Sequence, residues 1–168
     1  MDYKGKNVYV IGGADGAVKE ALYLADIAAK VMIVCVEEEL ACIQEFRDKV
    51  VTHENIEIMP HSSLTAIYGS EAVEALEFTD NKTGKKQIVK DSECGVFVYA
   101  GIVPNTQMYT ELRLDGGYIP VDDSMQTKIP GVFAAGDIRV KKVRQVATAV
   151  ADGAIAGIQA AAKGEERL

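Results

Sequence analysis

Residues 11–17 read Ile-Gly-Gly-Ala-Asp-Gly-Ala, directly after the apolar run Asn7-Val8-Tyr9-Val10 and just before KEALYLADIAAK. No other stretch limits the fold so strongly. A short buried strand that turns through glycines into a helix opens a βαβ unit, and with it a parallel sheet. The spacing from Gly12 to Ala17 follows G-x-G-x-x-A, with Ala14 where the pattern has its second glycine. Gly12 suits the tight turn and Ala17 the close packing of helix on strand. The middle position is where backbone approaches a pyrophosphate, and Ala14 puts a methyl there. Gly13 and Gly16 leave the loop free to shift, so that amides at the helix N-terminus, beginning at Asp15, stay available to a phosphate. The same residues also suit a strand-to-helix turn that holds nothing.

The rest of the first hundred residues continues the alternation. The spacing predicts a strand over 7–11, a helix over 15–29, a strand over 31–34, a helix over 37–50 with Glu37, Glu38 and Glu39 in its first turn, and a strand over 56–59. Short links imply right-handed crossovers. Then the pattern changes. Extended runs over 72–79 and 86–89 flank Asp80-Asn81-Lys82-Thr83-Gly84-Lys85, a hairpin signal, and 95–100 reads as another buried strand ending at the loop that Gly101 opens. The expected fold is therefore α/β: a Rossmann-like three-layer nucleotide-binding domain with a small antiparallel hairpin, over residues 1–107. Residues 108–168 offer short strands at 117–121 and 131–135 and a small-residue helix over 144–162, too little to bury a core alone. They read as part of a second domain, with the apolar face of the last helix left to self-association or motion.

Charge and hydropathy exclude several classes. A net charge of −7 argues against nucleic acid or an anionic membrane as partner. No apolar run approaches the roughly 18 residues that span a bilayer. Three cysteines, Cys35, Cys42 and Cys94, without C-x-x-C spacing suit a reduced, cytoplasmic setting and structural roles. His53 and His61 have no ligand spacing around them, so no metal site and no catalytic residue is assigned.

Four stretches together carry a resemblance: KNVYVIGGADGAVKEALYL, GVFVYAGIVPNT, GYIPVDD and TKIPGVFAAGDIRVKKVRQVATAVADG. In this order they resemble the thioredoxin reductase family of flavin disulfide reductases, over nearly the whole chain. The resemblance implies a nucleotide-binding domain inserted into a split FAD-binding domain, with residues 108–168 as the C-terminal part of the latter. It implies that the first half of the FAD domain and the redox C-x-x-C lie upstream of Met1, so the chain reads as an excised fragment that folds, does not retain FAD and is inactive alone.

The resemblance also assigns residues. In that family the second strand ends in His-Arg-Arg with another Arg four residues on, and these arginines clamp the 2′-phosphate of NADPH. Here Cys35, Val36, Glu37 and Ala41 stand in those places. The acids would repel a phosphate dianion, whereas Glu37, about 20 residues past the loop, can accept from a ribose hydroxyl of NADH; the three acids equally suit a solvated helix N-terminus. Gly136 and Asp137 resemble the family's second flavin contact, the aspartate accepting from the ribityl chain. Arg144, Gln145 and Val146 open the last helix, whose N-terminus would face the flavin N1–C2=O edge. Asp137 equally suits a turn acid.

Two classes of function follow. One is a thioredoxin reductase-like flavoprotein, acting as a homodimer, that passes electrons through FAD to a disulfide on a thioredoxin-like protein. Its NADPH site is weak or lost, and its donor is NADH or ferredoxin. The other is a non-catalytic Rossmann-like nucleotide-binding or regulatory module.

Overall fold

The computed structural model describes residues 3–165. The chain divides into two units, Met1–Gly101 and Ile102–Leu168. In the first, β1 (Asn7–Ile11), β2 (Lys30–Val34), β3 (Ile56–Met59) and β7 (Gly95–Val98) form a parallel sheet in the order β3-β2-β1-β7. The helices α1 (Asp15–Ala25) and α2 (Gln44–Thr52) connect its first three strands. A second, antiparallel sheet takes β4 (Ser62–Gly69), β5 (Val73–Asp80) and β6 (Lys86–Lys90) in sequence order.

Alternation along β1 explains the layering. Val8 and Val10 belong to the core shared with α1, where Val18, Ala21 and Leu24 are buried. Tyr9 belongs to the opposite cluster with Val34 and with Leu76 and Phe78 of β5. The parallel sheet is thus covered on both faces, which is why its central strands β1 and β2 are apolar at successive positions after their first residue. The rings of Tyr9 and Phe78 stack at 5.6 Å. The Tyr9 hydroxyl and the Asn7 amide both donate to Asp91 Oδ2, at 2.8 and 2.9 Å. Burial, and then the Asp91 carboxylate, push the Tyr9 hydroxyl well above the usual phenol range.

Several expected boundaries move, for physical reasons. α1 stops at Ala25, because Asn55 Nδ2 takes the Ala25 and Ala28 carbonyls and the Ala29 amide turns back to Lys6. α2 begins at Gln44, not at 37. Residues 37–43 form an irregular segment instead, pinned by Leu40 and Cys42, which drop into the core two positions apart. Glu37, Glu38 and Glu39 therefore do not form a helix first turn, and Cys42 does not lie on a helix. The expected hairpin is a three-stranded sheet, because Ser62–Gly69 adds β4 against β5. β7 ends at Val98, two residues early.

In the second unit, the expected strands at 117–121 and 131–135 are present only as isolated bridges, Tyr118 with Asp115, Ile119 with Arg139 and Phe133 with Gln126. A 3-10 turn covers Gly136–Ile138, and α3 runs from Val146 to Glu165. Both large clusters of buried hydrophobics among the described residues lie in the first unit. On α3, by contrast, Val146 is 81% and Val150 67% exposed.

Candidate functional site

The glycine loop leaves the C-terminal end of β1, between its two neighbours in the sheet. The Gly12 N–H donates to the Val34 carbonyl at 2.8 Å, and the Tyr99 N–H to the Ile11 carbonyl at 2.7 Å. Gly12 has φ +133°, and a Cβ there would stand 2.5 Å from the Tyr99 carbonyl oxygen. Only glycine fits such a position. A Cβ on Gly13 would lie 2.9 Å from Cys35 Cβ. Gly13 is therefore a packing residue against the end of β2, not a source of loop freedom as its spacing suggested. Ala14 is the extended N-cap residue of α1, with φ −84°, and an alanine needs no special conformation there. It brings no side-chain cap to the helix, so the amides at the start of α1 carry none. Ala17 is buried where α1 meets the loop.

Asp15, the first residue of α1, turns away from the loop. Its Oδ1 accepts from the Ile43 N–H at 2.9 Å. Glu37 is held at the other end of the same irregular segment. Its carbonyl accepts from the His61 N–H at 3.1 Å and from the Cys35 thiol at 3.6 Å. Its side chain reaches the loop, with Oε2 3.6 Å from where a Gly13 Cβ would be.

Gly12, Gly13, Ala14, Glu37 and Gly101 share a pocket of about 460 Å³, which Asp15 and Ala17 do not line. Gly12, Gly13 and Ala14 form its floor, and Val36, Glu37 and Ala41 line it at the end of β2. Ser62, Ser63 and Leu64 of β4, with Tyr99, Ala100 and Gly101, complete it. Among the described residues Glu37 is the only charged one in the lining, and no Lys or Arg contributes. The β4 residues were missed from sequence because that strand itself was missed. Burial and the Glu37 carboxylate raise the pKa of the Cys35 thiol, which keeps it protonated beside the pocket.

The remaining assigned residues lie in the second unit. Gly136 (φ +81°) opens the 3-10 turn, and the Asp137 side chain is 58% exposed, with Lys141 Nζ 3.9 Å from Oδ1. α3 begins at Val146, so Arg144 and Gln145 precede it. Thr148 Oγ1 accepts from the Gln145 N–H at 3.2 Å, and the Gln145 carbonyl accepts from the Ala149 N–H at 3.0 Å. The Arg144 guanidinium stacks over the Tyr118 ring at 4.0 Å. A residue the spacing did not single out dominates this turn. Asp152, 4% exposed, accepts from Arg139 Nε and Nη2, from Lys141 Nζ and from the Gly136 N–H. Its signal was a lone acid inside the run VATAVADGAIAG. Among the described residues no His, Cys, Asp or Glu cluster could hold a metal ion, and no helix is long and apolar enough to cross a membrane.

Comparison with known proteins matches residues 2–153 to the pyridine nucleotide-disulphide oxidoreductases. A thioredoxin reductase of Peptoclostridium acidaminophilum is 42% identical over 164 residues, covering 94% of this chain and 52% of that protein. One from Bacillus subtilis is 36% identical over 157 residues, covering 92% of this chain and 49% of that protein. The crystal structure of Lactococcus lactis thioredoxin reductase superposes with a TM-score of 0.84 at 34% identity, over 94% of this chain and 52% of that one. That of T. acidophilum thioredoxin reductase gives 0.82 at 30% identity, over 96% and 54%. The chain spans about half the length of the curated relatives it matches.

Proposed function

The chain belongs to the pyridine nucleotide-disulphide oxidoreductase family, and from that premise we propose that it supplies the nicotinamide-nucleotide domain and the second part of the FAD domain of a thioredoxin reductase-like flavoprotein. In that protein FAD relays two electrons from a donor to a disulfide on a thioredoxin-like substrate. The nucleotide domain takes residues 1–107 and the FAD part residues 108–168, and the flavin lies against the Gly136–Asp137 turn and the start of α3.

One observation carries the donor preference: among the described residues, the pocket beside the glycine loop is lined by Glu37 and by no cation. Its residues suit an adenine dinucleotide, with Gly12 making the tight turn and an uncapped helix N-terminus beside it. They do not suit a 2′-phosphate, which needs Arg or Lys. The donor is therefore NADH, or a protein such as ferredoxin if the Ala14 methyl excludes the pyrophosphate altogether. The three cysteines of this chain are buried, so disulfide exchange uses a cysteine pair outside these 168 residues. A protein of this kind works in the reducing cytoplasm as a homodimer.

Calorimetric titration of the chain with NADH and NADPH tests the donor reading. NADH is expected to bind more tightly than NADPH. Micromolar NADPH binding, tighter than NADH, would overturn it. Flavin absorbance after dialysis tests the second half: the chain alone is expected to emerge colourless. If it binds neither nucleotide, a protein donor such as ferredoxin is the better reading.

A further inference from the structure

Asp152 is an ionised side chain inside a unit with little core to spare. A buried carboxylate persists only when its oxygens are paired. Here Oδ2 accepts from the Gly136 N–H at 3.1 Å, Arg139 Nε at 2.7 Å and Lys141 Nζ at 2.9 Å, and Oδ1 accepts from Arg139 Nη2 at 2.6 Å. Arg139 thus grips the carboxylate with two parallel bonds, the strongest geometry for such a pair. All these partners lie in or just after the turn that carries Asp137. The turn is also stitched to Ile119, whose N–H donates to the Ile138 carbonyl and whose carbonyl accepts from the Val140 N–H. Backbone bonds fix its far end, while at its near end the Gly136 N–H is taken by Asp152.

The charges give the cluster a second consequence. Asp137 and Asp152 face two cations, Arg139 and Lys141. Arg139 donates to Asp152 through Nε and Nη2 and to the Val140 carbonyl through Nη1. Lys141 Nζ sits 2.9 Å from Asp152 but 3.9 Å from Asp137. Asp137 is left largely unpaired and exposed, with its acceptor capacity unspent.

We propose that Asp152 is a positioning residue for the Gly136–Asp137 turn: it fixes the turn through the Gly136 N–H and takes up both cations, so that the Asp137 carboxylate stays free to accept from a ligand hydroxyl. The proposal rests on the reading of that turn as a flavin contact, with a ribityl hydroxyl as donor. Without Asp152, Lys141 moves the short distance to Asp137 and masks it.

The test follows the isotope-labelled chain by nuclear magnetic resonance. Asp152→Ala should speed exchange of the Gly136 amide by about tenfold or more, as loss of one charge-assisted bond implies. Amides in the second half of α3 should keep their protection, which separates release of the turn from unfolding. Asp152→Asn keeps an acceptor for Gly136 but loses the charge. It should leave Gly136 protected yet shift the Asp137 carboxyl carbon as Lys141 arrives, and adding Lys141→Met should return that signal toward its original place. Free FAD at millimolar concentration should move the Gly136 and Asp137 signals of the original chain, a contact too weak to survive dialysis, and should do so less in Asp152→Asn than in the double variant. Unchanged Gly136 exchange in Asp152→Ala, or an unmoved Asp137 signal in Asp152→Asn, overturns the positioning role whatever FAD does. Signals that respond to the substitutions but not to FAD leave the positioning role standing and overturn the flavin reading of the turn.

Discussion

Asp15 and Ile43 are joined by a hydrogen bond at 2.9 Å, from the backbone of one irregular segment to the first carboxylate of α1. The bond ties the segment that carries the pocket residues Glu37 and Ala41 to the helix that follows the glycine loop. The carboxylate also stands at the positive end of α1. Replacing Asp15 by Ala should cost about 1 kcal/mol, the ordinary worth of one such bond. Urea unfolding would read that loss, and hydrogen exchange should show it concentrated at Ile43. Asp15→Asn keeps an acceptor and should fall between the two. Equal exchange at Ile43 in all three chains would remove the bond from the account.

Cys94 should resist alkylation in the folded chain. It is buried, and burial together with the Asp91 carboxylate pushes its thiol up to about 11. The reactive thiolate is then roughly one part in a thousand at pH 8. Cys35 and Cys42 are buried with raised values as well. Iodoacetamide at pH 8 should modify none of the three until denaturant is added, when all three react together. Rapid labelling of one cysteine in the native chain would mark it as reactive and reopen a redox role.

Acid should loosen the second unit through Asp152. The Arg139 guanidinium, then Lys141 and the Gly136 N–H, hold its carboxyl well below the usual carboxylate range against the opposing effect of burial. A folded value below the unfolded one means that the stabilisation is complete above an unfolded value of about 3.9 and fades as pH falls beneath it. Amide protection of α3 measured from pH 7 downward should therefore drop on the acid side. Glu77 and Asp80 of the first unit are also held low and act in the same window. Asp152→Asn isolates the effect, because it should lower stability at neutral pH and flatten the acid limb of α3 alone. An unchanged limb would place the acid response elsewhere.

How far the sequence could be read depended on whether local pattern and tertiary demand agreed. They agree at β1, the glycine loop and β2, where β-branched runs bounded by glycines leave one arrangement that buries both faces. They disagree at Glu37, Glu38 and Glu39. Three acids before an apolar run imitate a helix start, yet Leu40 and Cys42 enter the core at a spacing of two, which no helix permits. Ser62–Gly69 hid as a strand because its serines, threonine and glycine carry little apolar alternation, and its place is set by pairing with β5. The glycine loop and Glu37 were legible as site residues because their chemistry is local. The β4 wall and the Asp152 cluster were not, since each depends on a contact that only the folded chain makes.

The last prediction concerns the charge of the pocket. Val36, Glu37 and Ala41 line it where the thioredoxin reductase resemblance calls for arginines, and Ala14 stands on its floor. Each charge-assisted bond to a 2′-phosphate contributes roughly 1.5–3 kcal/mol, so even two of these three missing arginines withhold ~3–6 kcal/mol. That is roughly two to four decades of affinity. Glu37, with its carboxylate beside Gly13, adds repulsion for a phosphate dianion but can accept from a ribose hydroxyl. NADH loses only what the Ala14 methyl costs at the pyrophosphate. Val36→Arg with Glu37→Arg should therefore raise NADPH affinity by decades and lower that for NADH. Ala14→Gly alone should improve both nucleotides by a similar factor, because the pyrophosphate is common to them. Ala14→Gly leaves a helix N-cap position without strain, as the extended conformation there suits either residue. The triple variant should bind NADPH more tightly than either parent change. Calorimetry on the four chains, with 2′-phospho-AMP and AMP as truncated ligands, separates the phosphate contribution from the rest. If the arginines raise affinity for 2′-phospho-AMP but no chain binds either dinucleotide, the loop itself has lost the pyrophosphate, and a protein donor takes the place of the nucleotide. If the arginines change nothing even for 2′-phospho-AMP, the end of β2 is not where the adenosine ribose lies, and the assignment of Glu37 falls.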